Sequence, residues 1–194
     1  MTSALYKQIN YAKAYRKSRL DAAQWVLENK ESFPELLEFC FAESQGDISH
    51  KATWVLEFVC LKELPLLYPH LDGYFERLPR VKKDQSLRPL AHICELITIE
   101  YYKKKTPEIQ TFFSETHKTI MTECCFDWLI TDQKVACQVR AMTSLYFLGT
   151  EFDWIHPELT QIIEQNIHSG SGAYKARGKH TLASIRRFRA TGKR

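Results

Sequence analysis

Apolar side chains recur along this chain at helical spacing almost from its first residue. Leu5, Ile9 and Ala12 fall at i, i+4 and i+7, which predicts a helix over 4–18, and Leu20, Ala23, Val26 and Leu27 predict a second over 19–30, ending before Pro34. Beyond Pro34 the pattern comes in pairs. First helices are expected at 33–44, 66–78, 108–130 and 156–168, and second helices at 48–63, 86–104, 133–148 and 173–189. Gly46, Gly149 and the run Ser169-Gly-Ser-Gly172 punctuate them.

Two markers repeat and alternate. The first is a basic residue, then a small or compact one, then an aliphatic four positions later: Lys51-Ala52 with Leu56, Arg88-Pro89 with Ile93, Arg140-Ala141 with Leu145, Arg177-Gly178 with Leu182. The second is Pro-x-(Leu/Ile), at Pro34, Pro69, Pro107 and Pro157. Basic markers are separated by 37, 52 and 37 residues, so one unit carries roughly 14 extra residues between Pro107 and Arg140. These are expected to lengthen the third first-helix or to add a turn before it, around Gln110 to Lys118. A period near 37 residues with two helices per unit indicates a helix-hairpin array, because a single hairpin cannot bury its apolar stripe alone.

The stretch Asp132 to Gly149 resembles the second helix of a HEAT repeat, in which an Asp-containing turn precedes Val-Arg-x-Ala and a later Leu. Here Val139-Arg140-Ala141 is one residue tighter, and Asp47 to Val59 and Asp84 to Ile97 match in part. The resemblance covers 33–189. It implies an all-α fold, a right-handed α-α superhelix of about four hairpins, with 1–32 as capping helices and 190–194 as a basic tail of one domain. It also implies that the second helices line a concave face, so that Lys51, Arg88, Arg140 and Arg177 would stand in one row. Asp47, Asp84 and Asp132 are expected helix N-caps. In this sequence the Asp-to-Arg spacing is irregular, which argues against a continuous Asp–Arg ladder.

Charge refines the picture. The first 20 residues carry five basic and no acidic side chains, residues 21–164 are net −9, and the last 30 carry eight basic and none acidic. Lys175, Lys179, Arg186 and Arg187 make the last helix a candidate basic surface; it could hold a polyanion through charge alone, or be a solvated cap. The row of repeated cations could grip phosphates or acidic side chains, or could pair with carboxylates and order the stack. Tyr6, Tyr11 and Tyr15 among the N-terminal cations could stack on bases or close the end of the array. Ser169-Gly-Ser-Gly172 could cradle an anion or serve as a linker.

Phe126-Asp127-Trp128 and Phe152-Asp153-Trp154 repeat a tripeptide. HEAT-like DNA alkyl-base glycosylases use such aromatic and carboxylate pairs, while the plainer expectation is core tryptophan beside exposed Asp. Six cysteines inside apolar patterns, none as Cys-x-x-Cys, read as buried reduced thiols. His92 with Cys94, and His117 with Cys124, lack zinc-ligand spacing, so no metal or cofactor is expected. No segment has the length and apolarity of a membrane span or signal peptide, giving an expectation of a cytoplasmic protein without membrane contact. No catalytic constellation emerges. The sequence therefore points to non-enzymatic recognition by a protein-binding scaffold, with nucleic-acid binding as the alternative.

Overall fold

The computed structural model describes residues 3–11, 15–42 and 47–192, and every regular element among them is a helix. Ala12 and Gly46, used above to place elements, lie outside the described residues. The two N-terminal helices are α1 (Ala4–Ile9) and α2 (Arg16–Glu28). The expected 4–18 helix stops early, where the Asn10 N–H closes it on the Tyr6 carbonyl at 2.9 Å. Next come α3 (Phe33–Cys40), with Pro34 in its first turn, and α4 (Ile48–Glu63). Pro in a first turn removes an N–H that has no intrahelical acceptor anyway.

The expected 66–78 helix is divided. Pro65 and Pro69 both fall within Leu64–His70, which winds as a 3-10 helix, and only α5 (Leu71–Arg77) is α-helical. Another 3-10 turn, Leu78–Arg80, leads to α6 (Asp84–Thr98). The predicted 86–104 helix widens after Thr98 into a π-helical turn, Ile99–Lys104, closed by Lys105 at φ 56°. The extra residues add a turn, α7 (Pro107–Phe112), before α8 (Glu115–Ile130). Ser114 separates them through a capping box with His117. The chain finishes with α9 (Val135–Leu148), α10 (Ile155–Asn166) and α11 (Gly172–Thr191). The last helix thus takes in the first two residues of the expected basic tail.

The expected Asp caps are not formed. Asp47 occupies the N-cap of α4 without a side-chain bond, Asp84 is already inside α6, and α9 starts three residues after Asp132. Side-chain caps come instead from Ser3, Ser114 and Ser171. Ser171 accepts from the Tyr174 N–H at 3.3 Å, so the Ser-Gly run that joins α10 to α11 supplies the cap of α11.

Helices α2, α4, α6, α9 and α11 pack one on the next in chain order. On the other side α3 lies against α4, α5 against α8, α8 against α9, and α10 against α9 and α11. A contiguous apolar core runs from Leu5 to Ile185 and includes all six cysteines as free thiols. Ala52, Pro89, Ala141 and Gly178 are buried, as the repeated compact position requires. A Cβ on Gly178 would meet Ile163 Cγ2 at 2.9 Å, which shows how closely α11 approaches α10. Among the described residues no helix is long and apolar enough to cross a membrane.

Candidate binding surfaces

Three of the four repeated cations are held by groups that precede them in the chain. Lys51 on α4 donates to the Tyr11 carbonyl at 2.8 Å and lies over its ring. Arg88 on α6 reaches Glu57 of α4 at 3.9 Å, and His92 shares that carboxylate at 2.7 Å. Arg140 on α9 pairs with Glu95 of α6, whose side chain is buried. The acceptors recur too: Glu57 follows Lys51 by six residues and Glu95 follows Arg88 by seven. Seven after Arg140 stands Phe147, which offers no carboxylate to the next cation.

Arg177 accordingly has no ion-pair partner among the described residues. It borders a depression of about 220 Å³ that Phe147, Tyr146, Glu95 and Lys103 also line. The repeated position is thus a ladder that orders neighbouring helices, and it ends at α11. The ladder joins helix interiors, whereas the Asp-containing turns contribute nothing to it. Sequence periodicity located its basic half; the glutamates were missed, although their six- and seven-residue offset is visible in the chain.

The cations of α11 fare differently. Lys175, Arg177, Lys179, Arg186, Arg187 and Arg189 find no acidic partner among the described residues. At 100° per residue Lys175, Lys179, Arg186 and Arg189 lie within about 80° of one another, beside the buried Leu182, while Arg187 projects from a different side. The helix carries none of the large exposed apolar side chains.

Those lie elsewhere. The repeated tripeptide has split roles: Trp128 is buried, but Trp154, at the start of α10, is 56% exposed, contrary to a core placement. Helix α8 packs through Trp128 and Leu129, whereas Trp154 precedes α10 and its ring stacks outside on Phe126, centroids 5.7 Å apart. Ile130, 64% exposed, is four residues from Phe126 and so on the same side of α8. Exposed Glu123, Asp127 and Glu158 stand within about one turn of Phe126 or Trp154. An apolar, aromatic patch with an acidic rim results.

The inserted segment is anchored from within. Lys118, buried on α8, donates to Glu151 at 2.9 and 3.0 Å and to the Tyr101 hydroxyl at 2.9 Å, and Tyr102 donates to Glu151 at 2.6 Å. Burial opposes the Lys118 charge, but the bonds to Tyr101 and Glu151 outweigh it and hold the ammonium above the ordinary lysine value. That assembly fixes the π turn to α8 and to the α9–α10 connection. The two histidines considered for metal binding are bound to carboxylates, His92 to Glu57 and His117 to Asp72, each at 2.7 Å.

No family model matches the chain, and neither a curated protein nor a solved structure matches it.

Proposed function

We propose that the chain is a HEAT-like α-solenoid, a right-handed superhelix of four hairpins behind two capping helices, that acts as a protein-binding scaffold through the Phe126–Ile130–Trp154 patch. The exposed Trp154 stacked on Phe126 carries this reading. Exposed aromatic anchors are unfavourable to leave in water and are typical of the few residues that dominate protein–protein affinity. The acidic rim selects a partner that presents an apolar anchor flanked by Lys or Arg. The solenoid reading is supported by the in-order packing of α2, α4, α6, α9 and α11 and by the ladder that links α4, α6 and α9. The test is affinity capture with the full chain and with Trp154→Ala and Ile130→Glu variants of equal helicity: a partner retained by the first and lost by both others supports the patch, and equal retention by all three removes it.

A second reading rests on α11. Six cations without acidic partners or apolar anchors suit a phosphate backbone better than a protein surface. Salt-dependent anisotropy of labelled nucleic acid against wild type and a Lys175→Glu/Arg186→Glu variant tests it. Binding lost in that variant supports the reading; no binding at low salt by the wild type contradicts it.

A further inference from the structure

We infer that the patch on α8 and α10 takes an arginine side chain of its partner, the guanidinium lying on the open face of the Trp154 ring and pairing with Glu158. The inference rests on the reading of that patch as a protein-binding surface and adds what the surface selects.

The patch is a continuous stripe. At about 100° per residue Glu123, Phe126, Asp127 and Ile130 fall within about 100° of one another on α8, on the side away from the buried Cys124, Cys125, Trp128 and Leu129. Glu158 follows Trp154 by four residues, so their side chains are neighbours at the head of α10. Phe126 stacks on one face of the indole, with 24° between the ring planes, and the other face is open to solvent. Glu123, Asp127 and Glu158 are exposed and have no ion-pair partner among the described residues. An aromatic face bordered by unpaired carboxylates attracts a cation through both the ring quadrupole and direct charge.

The rest of the molecule shows which cation. Arg19 covers Trp54, its guanidinium carbon 4.1 Å from the ring centroid, and Arg77 covers Phe41 at 4.7 Å. Arg77 at the same time donates through Nη1 to Glu38 at 2.7 Å, and Glu38 lies three residues before Phe41 at the end of α3. One guanidinium thus serves a ring and a carboxylate from the same helix end. The patch offers such a ring and carboxylate pair twice, as Glu123 with Phe126 and as Trp154 with Glu158, yet no cation covers Trp154 among the described residues. Lysine is used differently. Lys51 and Lys118 lie over the rings of Tyr11 and Tyr101, and each rests its ammonium on an oxygen of that tyrosine. An indole carries no such acceptor, whereas a planar, weakly hydrated guanidinium stacks on it and keeps its edge for the carboxylate. The partner supplies that arginine, and an apolar neighbour of it lies on Ile130.

Titration of the uniformly 15N-labelled full chain with capped leucine-containing peptides that differ at one position, arginine, lysine or glutamine, tests this. The indole N–H signal of Trp154, identified by its loss in Trp154→Phe, reports binding. Saturable shifts are expected with the arginine peptide, which should bind about threefold or more tighter than the lysine peptide and about tenfold tighter than the glutamine peptide. Glu158→Gln should weaken the arginine peptide by about threefold and leave the glutamine peptide unchanged. Trp154→Leu keeps an apolar side chain without a π face and should erase the preference for arginine over lysine, read at the Ile130 amide. Both altered side chains are exposed, so the core is untouched. Equal affinity for the arginine peptide and either of the others, or an arginine preference that survives Trp154→Leu, overturns the inference and leaves the patch reading in place. Absence of saturable shifts with every peptide also overturns it; the patch reading itself falls only if capture of a partner is equally indifferent to Trp154→Ala.

Discussion

The indole N–H of Trp54 donates to the carbonyl of Gln85 at 3.0 Å, joining α4 to α6. Gln85 is four residues before Pro89, whose ring nitrogen has no hydrogen to give that carbonyl. The neighbouring helix therefore supplies the donor that the proline withholds. Trp54→Phe should cost about 0.5–1 kcal/mol of unfolding free energy, because the bond is lost and water replaces the indole N–H on this solvent-exposed carbonyl. In a Pro89→Ala background, where position 89 regains an amide that can reach the Gln85 carbonyl, the same change should cost clearly less. Chemical denaturation of the four proteins of this cycle measures the difference.

The ladder makes a contrasting pair of expectations. Arg140→Met leaves the Glu95 carboxylate, 4% exposed, without its cation, and should destabilise by about 3 kcal/mol. Adding Glu95→Met should recover most of that loss. Arg177→Met, at the same repeat position but with no carboxylate paired to it among the described residues, should stay within about 0.5 kcal/mol. Urea unfolding midpoints would show the asymmetry directly.

Gly149 and His156 predict an acid-side weakness. A Cβ on Gly149 would overlap the imidazole of His156, which bonds the Tyr146 carbonyl through Nε2 at 2.9 Å. Gly149→Ala should destabilise by about 1–3 kcal/mol by pushing the ring off this carbonyl. Burial, only partly offset by the bond to Tyr146, lowers the His156 pKa below 6.5. Well above pH 6.5 both the folded and the unfolded imidazole are neutral, so stability is unaffected there. As pH falls through 6.5 the unfolded chain takes up the proton first and stability drops. The fall in Tm between neutral and mildly acid buffer should be smaller in His156→Gln; His50, also lowered chiefly by burial, accounts for part of the remainder.

Much of this architecture is legible in the chain because the apolar pattern marks most of the long elements: α4, α9 and α11 fall close to where it places them. The departures have local causes. Pro65 and Pro69 turn an apolar stretch into a 3-10 helix, and Ser114, through its cap with His117, cuts α7 from α8. Among site residues, the repeat marks Lys51, Arg88 and Arg140, and the offsets of Glu57 and Glu95 are visible beside it, but that these answer Arg88 and Arg140 shows only once α4, α6 and α9 are packed together. Trp128 and Trp154 have the same neighbours in sequence yet opposite exposure, because one lies within α8 and the other at the head of α10.

On this reading Lys51, Arg88 and Arg140 are structural, and recognition belongs to the patch on α8 and α10 rather than to the repeated position, Arg177 included. Quantitative affinity capture from cell extract, comparing wild type with Ile130→Glu, Trp154→Ala and Arg177→Glu proteins of equal helicity, addresses that division most directly. A partner that loses about 2 kcal/mol or more of affinity for the Trp154→Ala and Ile130→Glu proteins while binding Arg177→Glu as tightly as wild type is the predicted result. Loss of the same partner on Arg177→Glu, with binding intact in the two patch variants, would contradict it.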